Sequence, residues 1–268
     1  MTLILPIEHI GKNDRSKVGG KAFALASLLK AGFNVPMALC VTSDAYDRYV
    51  SSTGIRERIL MEIHRKAFED MRWEEMWDAS LRIRNMFLTT PMPKALKDAL
   101  GDNIAKSFGE QPSAVRSSSP GEDSKKASFA GLHDSYVNVR TRDAILENVI
   151  KVWASLWSDA ALLYRKELGL DPKQSTMAVV IQEMVFGDRA GVAFCRSPVD
   201  PLQAVIESVY GLIRAWWTAR WSLTVGCWKG LLGKSFLTRS PKGTFGLSPQ
   251  KKVPSWKVSL HPWRHKPP

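Results

Sequence analysis

The chain has 268 residues, 44% hydrophobic and 24% charged, which excludes the disordered and fibrous classes and allows one large core or two modest ones. No stretch reaches the 18 apolar residues of a membrane span. The short apolar run at the start has no charges before it, as a signal peptide would, so a cytoplasmic protein is expected. Cys40, Cys195 and Cys227 are isolated, which excludes a disulfide framework or a CxxC zinc site. The net charge of +12 is confined to one end: residues 211–268 hold 11 of the 38 Lys and Arg, no Asp or Glu, and six of the ten Trp, leaving 27 basic against 26 acidic side chains before them. A composition break of this kind predicts a domain boundary.

In chain order, Gly19-Gly20-Lys21 precedes a helix over 22–31 that stops at Gly32. Val35-Pro36 forces an extended segment, and 38–42 reads as a buried strand. Residues 55–107 are mainly helical by periodicity, interrupted at Pro91 and Pro93. A short strand is expected over 113–116, a polar loop over 117–130 and a strand over 136–139. Apolar positions 145, 146, 149, 150, 153, 156 and 157 predict one long helix over 144–168, stopped by Gly169. The β-branched run 177–184 is predicted to turn at Gly187-Asp188 into 190–195 as an antiparallel hairpin, with another strand beginning at 204–207. The class expected is α+β.

Three segments carry chemistry. In VGGKAFALASLLKAGFNVP (18–36), Gly19 and Gly20 allow a backbone to approach a phosphate, and Lys21 sets a point charge at a helix N-terminus. A plain glycine turn with a solvated lysine fits the same residues, and the Walker A spacing is absent. In SAVRSSSPGEDSKKASFAGLHDSYVNV (113–139), Arg116 leaves a strand toward a polar loop, as bidentate phosphate binding requires. Ser128, Phe129, Ala130 and Gly131 form a small-residue loop whose amides can cradle a phosphate. An ordinary surface hairpin is the alternative there, and His133 fits a structural histidine better than a phosphoryl acceptor. In MAVVIQEMVFGDRAGVAF (177–194), Gln182, Glu183, Met184 and Val185 end a strand with groups suited to an adenine edge. Glu207, at a strand end, suits Mg²⁺ bound to phosphates.

Taken in this order and spacing, the segments resemble the ATP-binding domain shared by phosphoenolpyruvate synthase, pyruvate phosphate dikinase, glucan water dikinase and rifampicin phosphotransferase. The resemblance extends over roughly the first 210 residues, including the helix from Trp153 to Arg165 and the GVAFCRSP run ending at Pro198. It implies an ATP-grasp fold of two lobes, with ATP passing a phosphoryl group to a histidine on a separate domain. It assigns Lys21 and Arg116 to the phosphates and the transition-state charge. Gly19, Gly20 and the loop Ser128, Phe129, Ala130 and Gly131 surround the phosphates. Gln182, Glu183, Met184 and Val185 line the adenine pocket, and Glu207 holds Mg²⁺.

Two departures set limits on this reading. After Gly211-Leu212 the family's G-L-G-[EQ]-x-[LV]-V-x-G-x-x-x-x-D pattern stops. The 268 residues also contain no T-x-x-G-G-x-x-[CS]-H phosphohistidine signature. The chain is therefore expected to be inactive by itself. Two alternatives remain open: an ATP-binding module acting with a separately encoded histidine-bearing partner, and nucleic-acid binding by the basic, Trp-rich tail. The tail also reads as a frameshift from about Ile213. Joining the third base of each codon to the first two of the next makes Trp216-Trp217 give Val, Trp217-Thr218 give Asp and Trp228-Lys229 give Glu. With allowed third bases, 214–230 then reads GLVDGTVEPDRWLLER, which restores the family spacing. Such a tail is expected to pack little.

Overall fold

The computed structural model describes residues 2–120, 123–124, 127–128, 131–194, 203–211, 224–229, 236–239 and 245–246. It divides into two compact units, Met1–Val185 and Phe186–Pro268. The first runs β1 (Ile4–Pro6), α1 (Arg15–Lys30), β2 (Ala38–Val41), α2 (Ser43–Ser52), α3 (Ile55–Ile63), α4 (Trp73–Thr89), α5 (Lys94–Phe108), β3 (Ser113–Ser118), β4 (Asp123–Ser124), β5 (Ala127–Ser128), β6 (Ser135–Val139), α6 (Arg142–Ser155), α7 (Asp159–Glu167) and β7 (Ala178–Glu183). Five strands make one antiparallel sheet in the order β1-β2-β7-β3-β6, and β4 pairs with β5. The class is α+β, as the composition of elements predicts. No helix among the described residues is long and apolar enough to cross a membrane.

Alternation along the strands divides the first sheet into two unlike faces. Leu39, Val41, Val115, Val179 and Ile181 face the helical layer and join Tyr46, Tyr49, Ile83, Phe87, Leu100 and Trp153 in the larger core. Ala38, Cys40, Ala178 and Val180 face the other way and bury Val18, Ala22 and Ala26 of α1. The helical stretch predicted over 55–107 is α3, α4 and α5, with Pro91 and Pro93 in the gap between the last two. Helix α1 ends as expected: Gly32 is left-handed (φ +84) and Phe33 N–H donates to the Leu28 carbonyl at 3.1 Å.

Several expectations need correction. The single helix predicted over 144–168 is two, α6 and α7. Ser158 restarts the chain, its hydroxyl accepting from Ala161 N–H at 3.2 Å. The buried Arg165 donates to the Leu156 carbonyl at 2.8 Å, satisfying an acceptor at the break. Apolar spacing runs through the junction because both helices face the same core, so periodicity alone hides the break. The predicted hairpin between the 177–184 and 190–195 runs does not form, because both edges of β7 are already taken by β2 and β3. The strand predicted over 113–116 continues to Ser118, and part of the expected loop over 117–130 is the β4–β5 pair.

The second unit is an antiparallel sheet of β8 (Arg189–Phe194), β9 (Gln203–Tyr210), β10 (Thr224–Lys229), β11 (Phe236–Arg239) and β12 (Phe245–Gly246), in the order β12-β11-β10-β9-β8. Its last three strands belong to the basic tail. Strand β10 pairs with β9 in register from Thr224↔Ser208 to Lys229↔Gln203. Cys195 and most of residues 212–268 lie outside the described residues.

Candidate functional site

The glycine loop breaks helix α1 and docks on the end of β3. Gly19 has φ +76 and ψ 177 inside otherwise helical backbone. A Cβ at that position would overlap the Ser118 carbonyl oxygen, so only glycine permits the approach. Beyond Gly19 the helix begins again, and its first amides have no partner within the helix. Gly20 N–H donates to the Ser119 carbonyl at 3.4 Å. Ala22 N–H donates to Ser118 Oγ at 3.1 Å, and that hydroxyl donates to the Val18 carbonyl at 2.7 Å. Lys21 Nζ lies 3.4 Å from Ser117 Oγ. The Gly20 and Ala22 amides are thus already engaged, and what converges where the strand ends is the Lys21 cation and the positive end of the helix dipole, an arrangement that favours an anion. Ser117, Ser118 and Ser119 were legible only as a polar run. Three serines following an arginine at a strand end was the signal, but nothing in it said that they clamp a loop about a hundred residues away in sequence.

Arg116 and Gln182 share the sheet face on which α1 packs. Arg116 stands opposite Val180 and Ala114 opposite Gln182. Since Val180 belongs to the α1 core, all four lie on that face. Arg116 is partly buried, and among the described residues its guanidinium has no hydrogen-bond or ion-pair partner. From Ser118 to Ala114 the strand covers roughly 13 Å, on the scale of an extended nucleotide. Glycine loop, Arg116 and Gln182 follow one another along it.

At the far end the backbone is partly committed. Glu183 N–H donates to the Met37 carbonyl at 2.8 Å and Met184 N–H to the Pro112 carbonyl at 2.9 Å. What Gln182, Glu183, Met184 and Val185 can still offer is their remaining backbone groups and side chains, with Glu183 and Val185 exposed. Ser128 lies in β5, opposite Asp123, and Gly131 is left-handed at φ +78. Phe129 and Ala130 lie outside the described residues. Glu207 sits inside the eight-residue β9, between Val192 and Val225, rather than at a strand end as expected. No cluster of three metal-ligating side chains occurs among the described residues.

His133 lies beside this loop, with Nδ1 3.4 Å from the Ser155 carbonyl oxygen. Burial, reinforced by the Arg165 and Lys21 cations, pushes its pKa down to about 4. It is therefore a neutral imidazole near pH 7, as a structural histidine would be. Burial also pulls Arg165 down to about 10, which leaves it charged.

A glycine-lysine loop at a helix start, a partly buried arginine and an amide-ended strand on one sheet face are of the residue types that suit a nucleotide and its phosphates. The family described as "Pyruvate phosphate dikinase, AMP/ATP-binding domain" matches residues 15–215, and the chain belongs to it. It is similar to a phosphoenolpyruvate synthase of Aeropyrum pernix, 42% identical over 217 residues that cover 78% of this chain and 26% of the relative. It is also similar to rifampicin phosphotransferases of Bacillus subtilis (34% over 215 residues; 79% and 24%) and Streptomyces sviceus (36% over 212 residues; 78% and 24%). The chain thus spans about a quarter of the length of these curated relatives.

Proposed function

We propose that this ATP-binding domain has an ATP-grasp arrangement and primes ATP to give a phosphoryl group to a histidine carried outside the matched segment. The observation that carries the reading is the shared sheet face, with the docked Gly19–Gly20–Lys21 loop at one end, Arg116 in the middle and Gln182 beyond. Lys21 and Arg116 hold the phosphates and offset charge as it develops on the transferred group. The loop from Ser128 to Gly131 covers the phosphates, and Gln182 to Val185 line the adenine. Glu207 is the residue that would hold Mg²⁺, whose chemistry is to neutralise phosphate charge. Because no residue of the chain matches the phosphohistidine signature, turnover requires that histidine from elsewhere, on the same polypeptide or on a separate partner.

Calorimetric titration tests the site. Lys21→Ala and Arg116→Ala should each weaken ATP by roughly tenfold to a hundredfold, the worth of a charge-assisted hydrogen bond, while adenosine changes little. Equal losses for both ligands would show the roles to be misassigned. No ATP binding by the folded wild-type chain would remove the site altogether.

The tail is read as out of frame from about Ile213. Three changes coincide near that point: the family match ends at 215, Asp and Glu vanish, and Trp becomes frequent. The gene sequence is the test. If shifting the frame near codon 213 fails to extend the family match, the reading is wrong and the tail needs a role of its own.

A further inference from the structure

The geometry points to Ser118 as the positioning residue of the phosphate-binding loop, acting as an N-terminal helix cap supplied from another strand. The inference rests on the ATP reading above and deepens it. A helix that begins after Gly19 has glycine where Ser, Thr, Asp or Asn would normally cap it, and glycine has no side chain to do so. Asp14, before the first turn of α1, makes no side-chain cap bond either. Ser118 does both halves of the task from 96 residues away. Its Oγ accepts from Ala22 N–H, in the first turn, at 3.1 Å and donates to the Val18 carbonyl, just before the kink, at 2.7 Å. One hydroxyl therefore spans the Gly19–Lys21 segment from both sides. Its own backbone carbonyl fills the space a Gly19 side chain would need.

The choice of side chain follows from the ligand. An aspartate cap would be at least as good for an isolated helix, but it would set a carboxylate against the incoming phosphates. A serine satisfies the same amide without charge. Ser118 is fully buried and sits two residues from Arg116 on the same strand face. The strand that carries the arginine thus also fixes the lysine loop, and the two cations are held at one spacing. Preorganisation of this kind lowers the ordering cost of binding a charged ligand.

The test uses the full chain, with ATP and adenosine as ligands. Ser118→Ala should weaken ATP about tenfold, roughly one to two net hydrogen bonds, with adenosine changed less than about twofold. Ser118→Thr keeps the hydroxyl and should restore ATP affinity to within about threefold of wild type. Hydrogen exchange gives a second readout. The Ala22 amide has no partner within the helix, so its protection in the wild type reports the Ser118 bond, and ATP should slow its exchange further. Equal losses of ATP and adenosine in Ser118→Ala, or unchanged ATP affinity, would overturn the proposal. If that variant does not fold, an unprotected Ala22 amide in the wild type, or failure of Ser118→Thr to bind ATP, overturns it as well. Failure of the wild type to bind ATP, or indifference of ATP to Lys21→Ala, refutes the underlying ATP reading and the positioning role with it. Normal behaviour in both with a silent Ser118→Ala refutes the positioning role alone.

Discussion

The two faces of the first sheet are built from different materials. On the helical side the core is large and aromatic: Tyr49 and Trp153 lie 5.2 Å apart between ring centroids, Tyr46 and Trp153 5.9 Å, and Trp157 Nε1 donates to the buried Tyr46 hydroxyl at 3.0 Å. On the α1 side the core is smaller and has no fully buried ring: Ala38, Cys40, Ala178 and Val180 meet Val18, Ala22 and Ala26, with Ile7 and Ile10 completing it. Large rings bury the most apolar area and dominate stability. Small side chains let one backbone come close to another, which the docking of the glycine loop on β3 requires. The large core and the proposed ligand site thus fall on opposite sides of one sheet, and substitutions should separate them.

Trp153→Ala is the strongest challenge to that separation. It removes a fully buried indole, so unfolding in urea should show a loss of about 3–5 kcal/mol. The ratio of ATP to adenosine affinity in the folded fraction should stay unchanged. A shifted ratio would mean that the two faces are coupled. Gly19→Ala tests the other side. The φ of +76 and the steric overlap with Ser118 should cost about 2 kcal/mol of stability, with ATP affinity falling far more than adenosine affinity. Retained ATP affinity in that variant would show that the close approach serves packing only.

His133 samples the seam between loop and helices. Its folded-state pKa of about 4 lies below the ordinary value of 6.5, so between these values the unfolded chain binds more protons. Stability should therefore be flat above about pH 6.5 and fall on acidification toward pH 4, by on the order of 2 kcal/mol after allowance for partial exposure. Subtracting the profile of His133→Gln isolates this contribution, and identical profiles would show that His133 is not held neutral by the fold. The smallest effect is expected at Trp77, exposed on α4: Trp77→Ser should alter stability by less than about 0.5 kcal/mol and ligand affinity not at all. A larger loss in thermal melts would show that this face of α4 is covered in solution.

Much of the first unit was legible because local rules determine it. Pro91 and Pro93 marked the gap between α4 and α5, Gly32 marked the end of α1, the apolar stretch after Pro36 marked β2, and a β-branched run marked β7. Where prediction failed, the missing information was long-range. The junction of α6 and α7 is invisible to periodicity because the apolar stripe continues through it, and only the Ser158 cap and the Arg165 bond to Leu156 reveal it. Whether the 177–184 run pairs with its sequence neighbour depends on which edges other strands have already filled. The register of β7 against β2 and β3 is decided by the whole sheet.

The same division holds for the site. By itself the sequence determined the α+β class, the order of the segments proposed to bind phosphate and the residue types they offer. Glycines and a lysine before a helix, and an arginine before serines, are local signatures with local physical causes. Tertiary structure decided that Arg116 and Gln182 share a face, because cross-strand register does so. It also decided that the Glu183 and Met184 amides are already engaged, and that a serine 96 residues away caps the loop. Hydrogen bonds of that range close only when the sheet and α1 have packed, so no window of sequence contains them.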